Sequence, residues 1–144
     1  MEFVLNRGIF RLCSVLLVAF LNAVSANTLD FSIIKKEQIP MPDNTLLVIG
    51  GIQGDEPGGF LAASLLSTEY EVTKGSLWIV PNLNFESIIK RSRGLNGDMN
   101  RKFSSLRVSD PDYQAVNSIK NLIADPSVAM IVNLHDGSGF FRHT

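Results

Sequence analysis

The stretch TLLVIGGIQGDEPGG, residues 45–59, decides the fold. Its first half is a β-rich apolar run, Leu46 to Ile49, which indicates a buried strand. A glycine pair ends the run, and a polar turn that carries Gln53, Asp55 and Glu56 leads into the next apolar segment. The pattern predicts a strand, a turn and a helix. Because ligands of open α/β sheets bind at the carboxyl ends of strands, the turn is a candidate site.

Strands and helices are predicted to alternate along the rest of the chain. Phe31 to Ile34 is interpreted as a short edge strand, and Ser76 to Val80 and Met130 to Leu134 as further buried strands. Helices are predicted over about 58–67, 84–90 and 112–124, and the apolar side chains of the first are expected to be ordinary core. This alternation predicts an α/β fold of three layers, a largely parallel or mixed sheet with flanking helices.

Polar side chains follow the carboxyl ends of three predicted strands, and they form the clusters Gln53/Glu56, Arg93/Asn100/Arg101 and His135. If the strands are neighbours, the three clusters face one crevice. Gln53 and Glu56 are three residues apart at a turn and can point into one volume, to which His135 adds an imidazole. Two oxygens, one nitrogen and a fourth position left to water match a catalytic zinc centre.

The same spacing also has a purely structural interpretation. Glu56 would cap the helix, Gln53 would bond the turn backbone, and His135 would be a satisfied histidine at the edge of the core. Spacing alone leaves this alternative open. Nucleotide binding is disfavoured, because the glycines do not fit G-x-G-x-x-G and the P-loop spacing from Gly54 to Gly59 is followed by Phe60 instead of lysine.

The first 26 residues are predicted to be a secretory signal peptide. Arg7 and Arg11 precede an apolar run over residues 12–21, and Val24-Ser25-Ala26 supplies small residues before a cleavage point. A helix needs about 20 apolar residues to span a bilayer, and this run is shorter. No stable membrane insertion is expected after cleavage of the signal peptide. The domain is therefore predicted to cover residues 27–144.

The mature chain would carry 11 basic and 13 acidic residues, a net charge of −2, which gives no indication of a nucleic-acid partner. The only cysteine, Cys13, lies in the predicted signal peptide, so the mature chain would have no thiol or disulfide. An exported chain without cysteines suits a bacterial periplasm.

The motifs resemble those of the zinc carboxypeptidases of the M14 class, in which a strand-end H-x-x-E pair and a distant histidine hold the metal. Here the pair is Gln53-Gly54-Asp55-Glu56 and the distant residue is His135. The glutamine is shared by a smaller branch that this sequence resembles more closely from about Thr45 onward. That branch is the cell-shape D,L-carboxypeptidases, which trim the tripeptide stems of peptidoglycan in the bacterial periplasm.

The resemblance implies a zinc ion held by Gln53, Glu56 and His135, and peptidoglycan stem peptides as the substrate. It implies that Arg93 polarises the scissile carbonyl and that Asn100 and Arg101 hold the terminal carboxylate of the substrate. The chemistry agrees, since a guanidinium binds a carboxylate bidentately, and a metal with an arginine stabilises a tetrahedral oxyanion.

The resemblance has one serious departure. Carboxypeptidases of this kind place the general-base glutamate on a strand far beyond the third metal ligand, so this chain is expected to be an amino-terminal part without that base. Glu69 and Glu86 are not expected to replace it, because they lie in or beside helices remote from the ligand turns.

The expected function is a metallocarboxypeptidase that converts tripeptide stems to dipeptides, with residues 1–144 inactive alone. Two alternatives remain, a non-catalytic peptide- or peptidoglycan-binding module and an M14-like amide deacylase. Arg101 distinguishes a carboxypeptidase from a deacylase, since only the carboxypeptidase has to bind the terminal carboxylate of its substrate.

Overall fold

The structure, a computed structural model, describes residues 31–38 and 44–137. The predicted signal peptide over residues 1–26 lies outside the described residues. The elements in chain order are β1 (Ile34–Glu37), β2 (Thr45–Ile49), α1 (Pro57–Glu69), β3 (Ser76–Val80), α2 (Phe85–Lys90), a 3-10 turn (Met99–Arg101), α3 (Tyr113–Ile123) and β4 (Val128–Asn133). In the part of the chain described here, no helix is both long enough and apolar enough to cross a membrane.

The four strands form one mixed sheet in the order β1-β3-β2-β4. β2 pairs in parallel with β3 on one side and with β4 on the other, and β1 runs antiparallel to β3. The register pairs Ile49 with Val80 and with Asn133, so the three parallel strands end side by side. The turns that follow these strands therefore start from the same edge of the sheet.

Helices cover both faces of the sheet, which confirms the predicted α/β fold. Leu47 and Ile49 belong to a buried cluster that includes α3 side chains such as Val116. Because side chains alternate along a strand, the buried Val48 points to the opposite face. Gly50 has the same parity as Val48, and a Cβ placed there would meet Ala63 of α1 at 2.7 Å. The two helices thus lie on opposite sides of β2.

The expectation that the large apolar side chains of α1 form core is wrong for two of them. Leu61 and Leu65 are 54% and 57% exposed. The buried residues of this helix are the small ones, Gly59 and Ala63. A helix that packs through small residues lets its backbone come close to β2, which leaves the longer side chains outside the contact.

Strand boundaries differ most from prediction at the two edges of the sheet. β1 begins at Ile34, three residues later than predicted, because Phe31 is buried in the core cluster instead of pairing with β3. β4 begins at Val128, two residues early, since its pairing with β2 starts at Thr45. Among the described residues β4 is an edge strand, and Met130 in it is 62% exposed.

Candidate functional site

The turn after β2 is held by backbone hydrogen bonds to the segment that follows β3. Leu83 N–H donates to the Gly50 carbonyl over 3.1 Å, and Gly54 N–H donates to the Ser92 carbonyl over 2.9 Å. The turn buries Gln53 to 1% exposure and leaves Glu56 partly buried. Two of the predicted ligands are therefore fixed by a rigid loop.

The third predicted ligand reaches the same point from β4. Leu134 N–H donates to the Ile49 carbonyl over 2.8 Å, which extends the pairing with β2 by one residue and places His135 beside the turn. His135 Nδ1 lies 3.1 Å from Gln53 Oε1 and 2.8 Å from Glu56 Oε2. The structure thus brings the three residues together through one atom of each.

Asp98 orients the amide of Gln53. Gln53 Nε2 donates to Asp98 Oδ1 over 2.8 Å. An ionised carboxylate only accepts hydrogen bonds, so the NH₂ group of the glutamine must face Asp98 and its Oε1 must face His135. The oxygen of the amide, the atom that can bind a cation, is thereby aimed at the other two donors.

The donor set fits zinc in its chemistry. Nitrogen of histidine and oxygen of carboxylate are ordinary zinc ligands, with bonds of about 2.0–2.2 Å, which puts tetrahedral ligands about 3.3–3.6 Å apart. The contacts of 2.8 and 3.1 Å to His135 Nδ1 are shorter than that separation, so the three atoms would have to move slightly apart to hold the ion. No group of three or more His, Cys, Asp or Glu that could hold a metal occurs in the described ranges. The third donor here is an amide.

The purely structural interpretation is wrong for Glu56 and Gln53, whereas His135 is hydrogen-bonded as that interpretation also expected. Glu56 stands at the N-cap position of α1, but within the described residues its side chain makes no capping hydrogen bond. Gln53 bonds Asp98 and His135 through its side chain instead of the turn backbone. Both side chains are therefore directed toward His135.

Arg93 lies at the rim of this group. Its Nη1 donates to Glu56 Oε1 over 3.2 Å and its Nε donates to Asp98 Oδ2 over 3.1 Å. The hydrogen bond to Asp98 raises the pKa of Arg93. The guanidinium thus carries its charge beside the candidate metal ligands, while the side chain stays exposed to solvent.

Asn100 and Arg101 lie in the 3-10 turn, which Asp98 caps by accepting a hydrogen bond from Asn100 N–H over 3.0 Å. Arg101 is largely exposed, with its Nε 3.9 Å from Asp98 Oδ2. Asn100 borders a cavity of about 200 Å³ that Asn133 of β4 also lines. A cavity of about 380 Å³ between α2 and α3 contains none of the six predicted site residues.

The sequence analysis missed Asp98, which connects these groups. Burial disfavours its ionised form, but hydrogen bonds from Gln53, Asn100 and Arg93 outweigh that cost and lower the pKa of Asp98. The spacing Asp98-Met99-Asn100 was the available signal, since an aspartate that bonds the N–H two residues on is typical of turns and caps.

Asp98→Asn is expected to destabilise the protein at neutral pH by about 1–3 kcal/mol, because a neutral amide is a weaker acceptor for these donors. The pKa of Asp98 is depressed, so its contribution is present above the unfolded value of about 3.9 and is lost as the pH falls through the lower folded value. Urea unfolding should show a large difference from the parent at pH 7, and this difference should shrink as the pH falls below about 3.9. Asp55→Asn, at an exposed carboxylate of the ligand turn, is the control. A difference that does not shrink at any pH down to acid unfolding would contradict this role.

Comparison with known proteins identifies the family. The profile of a family described as carboxypeptidase controlling helical cell shape, catalytic, matches residues 4–144. The chain belongs to this family. The resemblance inferred from the Gln53-to-Glu56 motif and His135 is thereby confirmed at the level of the family. No significant match was found among curated proteins.

Crystal structures of the cell shape determinant protein Csd4 from Helicobacter pylori are similar to the chain. The product-bound form has a TM-score of 0.75 at 44% identity and covers 80% of this chain, and the tripeptide-bound form has a TM-score of 0.73 at the same identity and coverage. The mDAP-bound form, described as a D,L-carboxypeptidase, has a TM-score of 0.72 at 46% identity over 77% of this chain. The chain spans only 28–29% of the length of these structures.

A more distant structure shares the fold alone. The succinylglutamate desuccinylase/aspartoacylase from Rhodobacter sphaeroides has a TM-score of 0.62 at 23% identity, covering 73% of this chain and 33% of its own. This chain therefore shares its α/β architecture with a desuccinylase/aspartoacylase structure of low sequence identity.

Proposed function

We propose that the protein is an exported, zinc-dependent D,L-carboxypeptidase that releases the C-terminal residue of peptidoglycan stem peptides, converting tripeptide to dipeptide. The observation that carries this proposal is the convergence of Gln53 Oε1 and Glu56 Oε2 on His135 Nδ1, at 3.1 and 2.8 Å. Membership in the cell-shape carboxypeptidase family supports it.

Gln53, Glu56 and His135 would hold the zinc ion. Zinc bound there would supply a Lewis acid and lower the pKa of a bound water. Asp98 would keep the amide oxygen of Gln53 aimed inward through its hydrogen bond to Nε2. Arg93 would help to hold this carboxylate in place, because its Nε donates to the second oxygen of Asp98 over 3.1 Å.

Arg93, Asn100 and Arg101 would bind the substrate. Arg93 contacts Glu56, so its charge lies where the scissile carbonyl would be polarised and where a negative oxygen would form. Arg101 is 77% exposed at its side chain, and its guanidinium can therefore reach the terminal carboxylate of a peptide. The Asn100 amide would add a neutral hydrogen bond to that carboxylate.

The relatives support the proposed substrate class, and the predicted export supports the proposed location. Csd4 has been solved with a tripeptide and with mDAP bound. A peptidoglycan stem in the periplasm combines that chemistry with the signal peptide expected at residues 1–26. A part in bacterial cell shape would follow from trimming these stems.

The test uses the intact protein, with every residue that its gene encodes, and a muramyl tripeptide as substrate. Zinc-dependent release of the terminal residue is expected. Arg101→Ala should lower kcat/KM by about 10- to 100-fold, mainly through KM, since a charged hydrogen bond to the carboxylate contributes about 1.5–3 kcal/mol. Arg107→Ala, at an exposed arginine outside the site, should leave it unchanged.

Two outcomes would replace this proposal. Hydrolysis of N-acyl amino acids without action on the tripeptide would favour an amide deacylase. Tight binding of the tripeptide without turnover by the zinc-loaded protein would favour a binding module.

A further inference from the structure

Asp136, directly after His135, makes a reciprocal connection to the start of α1. Its Oδ2 accepts a hydrogen bond from Gly58 N–H over 3.1 Å, and its own N–H donates to Glu56 Oε2 over 3.2 Å. The two bonds run in opposite directions between residues 78 and 80 positions apart in the chain. They fasten the segment after β4 to the helix that begins beside Glu56.

The start of α1 needs an acceptor of this kind. The first N–H groups of a helix have no partner inside the helix, and a carboxylate there is favoured by the helix dipole. Glu56 occupies the N-cap position without capping through its side chain, and the first turn contains no acidic residue. Asp136 supplies the acceptor from the far end of the sequence.

Two glycines make room for this contact. A Cβ on Gly59 would lie 2.6 Å from the carbonyl oxygen of Leu134, and a Cβ on Gly58 would overlap Oδ1 of Asp136. The segment that carries His135 therefore lies directly against the backbone of α1. A side chain at Gly59 would force this segment away from α1, and one at Gly58 would displace the Asp136 carboxylate.

The second bond acts on a candidate ligand atom itself. Glu56 Oε2 accepts from Asp136 N–H and also lies 2.8 Å from His135 Nδ1. Its position is thus set by the same residue that caps α1. The carboxyl end of β4 is held by this contact and by the bond from Leu134 to Ile49.

We propose that Asp136 is a positioning residue of the candidate metal centre. Asp136 caps α1 from the segment after β4 and thereby holds His135 against Glu56. Asp136 binds neither the metal nor the substrate in this role. The inference rests on the proposed function, because it assumes that Glu56 and His135 are zinc ligands. The same contact explains why glycine occupies positions 58 and 59, because residues 134–136 approach the helix closely there.

The test measures zinc affinity in the intact protein by competition with a chelator, for the parent and for Asp136→Ala and Asp136→Asn. Loss of the cap should weaken zinc binding about 10- to 100-fold in the alanine variant, the range found when outer contacts of metal ligands are removed. Asparagine keeps the length of the side chain and an acceptor oxygen, so this variant should recover most of the affinity. The visible spectrum of the cobalt-substituted protein should change in the alanine variant and return toward that of the parent in the asparagine variant.

Gly58→Ala provides an independent variant, because it displaces the Asp136 carboxylate without removing it. It should weaken zinc binding by itself and add little in the Asp136→Ala background, as expected for two changes to one contact. Asp55→Ala, at an exposed carboxylate of the same turn, is the matched control and should bind zinc as the parent does.

The results separate this inference from the proposed function. A parent protein that binds no zinc would overturn the metal centre itself. A parent that binds one zinc, with Asp136→Ala within twofold of it, would overturn only the positioning role. An asparagine variant as weak as alanine would overturn it too, since an acceptor oxygen in the same place would then not suffice.

Discussion

His135→Ala in the intact protein is expected to lose its zinc during dialysis, and with it all measurable release of the terminal residue. The imidazole is the only nitrogen donor of the three, and its Nδ1 is the atom on which the two oxygens converge. Removal leaves an amide and a carboxylate, which is fewer protein ligands than the three of a catalytic zinc site. Elemental analysis should find about one zinc per chain in the parent and almost none in this variant.

Glu56→Ala should lose zinc as well, whereas Gln53→His should keep it or bind it more tightly. An amide oxygen is a poorer donor to zinc than an imidazole nitrogen. Asp98 already lies 2.8 Å from Gln53 Nε2, and a carboxylate in that position also suits the N–H of a zinc-bound histidine. Activity should change in Gln53→His, because a more basic ligand makes the zinc a weaker acid toward its water.

Glu69→Ala, at an exposed carboxylate at the end of α1, is the control for these variants and should hold zinc as the parent does. If His135→Ala retains as much zinc as the parent, the metal is bound elsewhere. The proposed carboxypeptidase chemistry would then lose its basis.

Gly54→Ala is expected to destabilise the protein by about 3 kcal/mol and to lower its zinc content. Gly54 lies between the two predicted ligands of the turn, and a Cβ there would overlap the backbone carbonyl of Ser87 in α2. A backbone atom cannot turn aside as a side chain does, so the turn must move away from α2, at the upper end of the usual cost of overpacking. Such a shift would displace both Gln53 and Glu56.

Urea unfolding and zinc analysis check this prediction together. Gly137→Ala is the matched control, because a Cβ at Gly137 would have no neighbour within 4 Å among the residues that the structure describes. A Gly54→Ala protein as stable as the parent, with its full zinc content, would show that the turn does not depend on its contact with α2.

The central elements could be predicted from sequence because each carries a strong local signal. β2 and β3 lie within one residue of their predicted bounds, since each is a short apolar run ended by glycine or proline. β1 has no such ending, and its displacement reflects Phe31, whose burial in the core depends on distant residues. The exposure of Leu61 and Leu65 on α1 could not be predicted either, because it depends on how closely the helix backbone approaches β2.

The proximity of Gln53, Glu56 and His135 could be predicted from sequence, whereas the hydrogen bonds around them could not. The three residues follow predicted strands, and the pairing of Ile49 with Asn133 brings them together. The bonds of Asp98 and Asp136 depend on side-chain geometry across 45 to 80 residues of sequence, and no spacing rule covers such distances. The zinc and substrate roles stay predictions until they are measured.

The place of β4 in the sheet also sets an order of events during folding. β2 must pair with β4, and His135, two residues beyond β4, lies 79 and 82 positions after the two donors on the turn. Contacts at such separation carry the largest loop-closure entropy, and they form late in the folding of a sheet. A nascent chain would present Gln53 and Glu56 long before His135, and two donors hold zinc weakly. Metal capture would therefore coincide with the docking of β4, so the rate of zinc uptake by refolding protein would report the closure of the sheet.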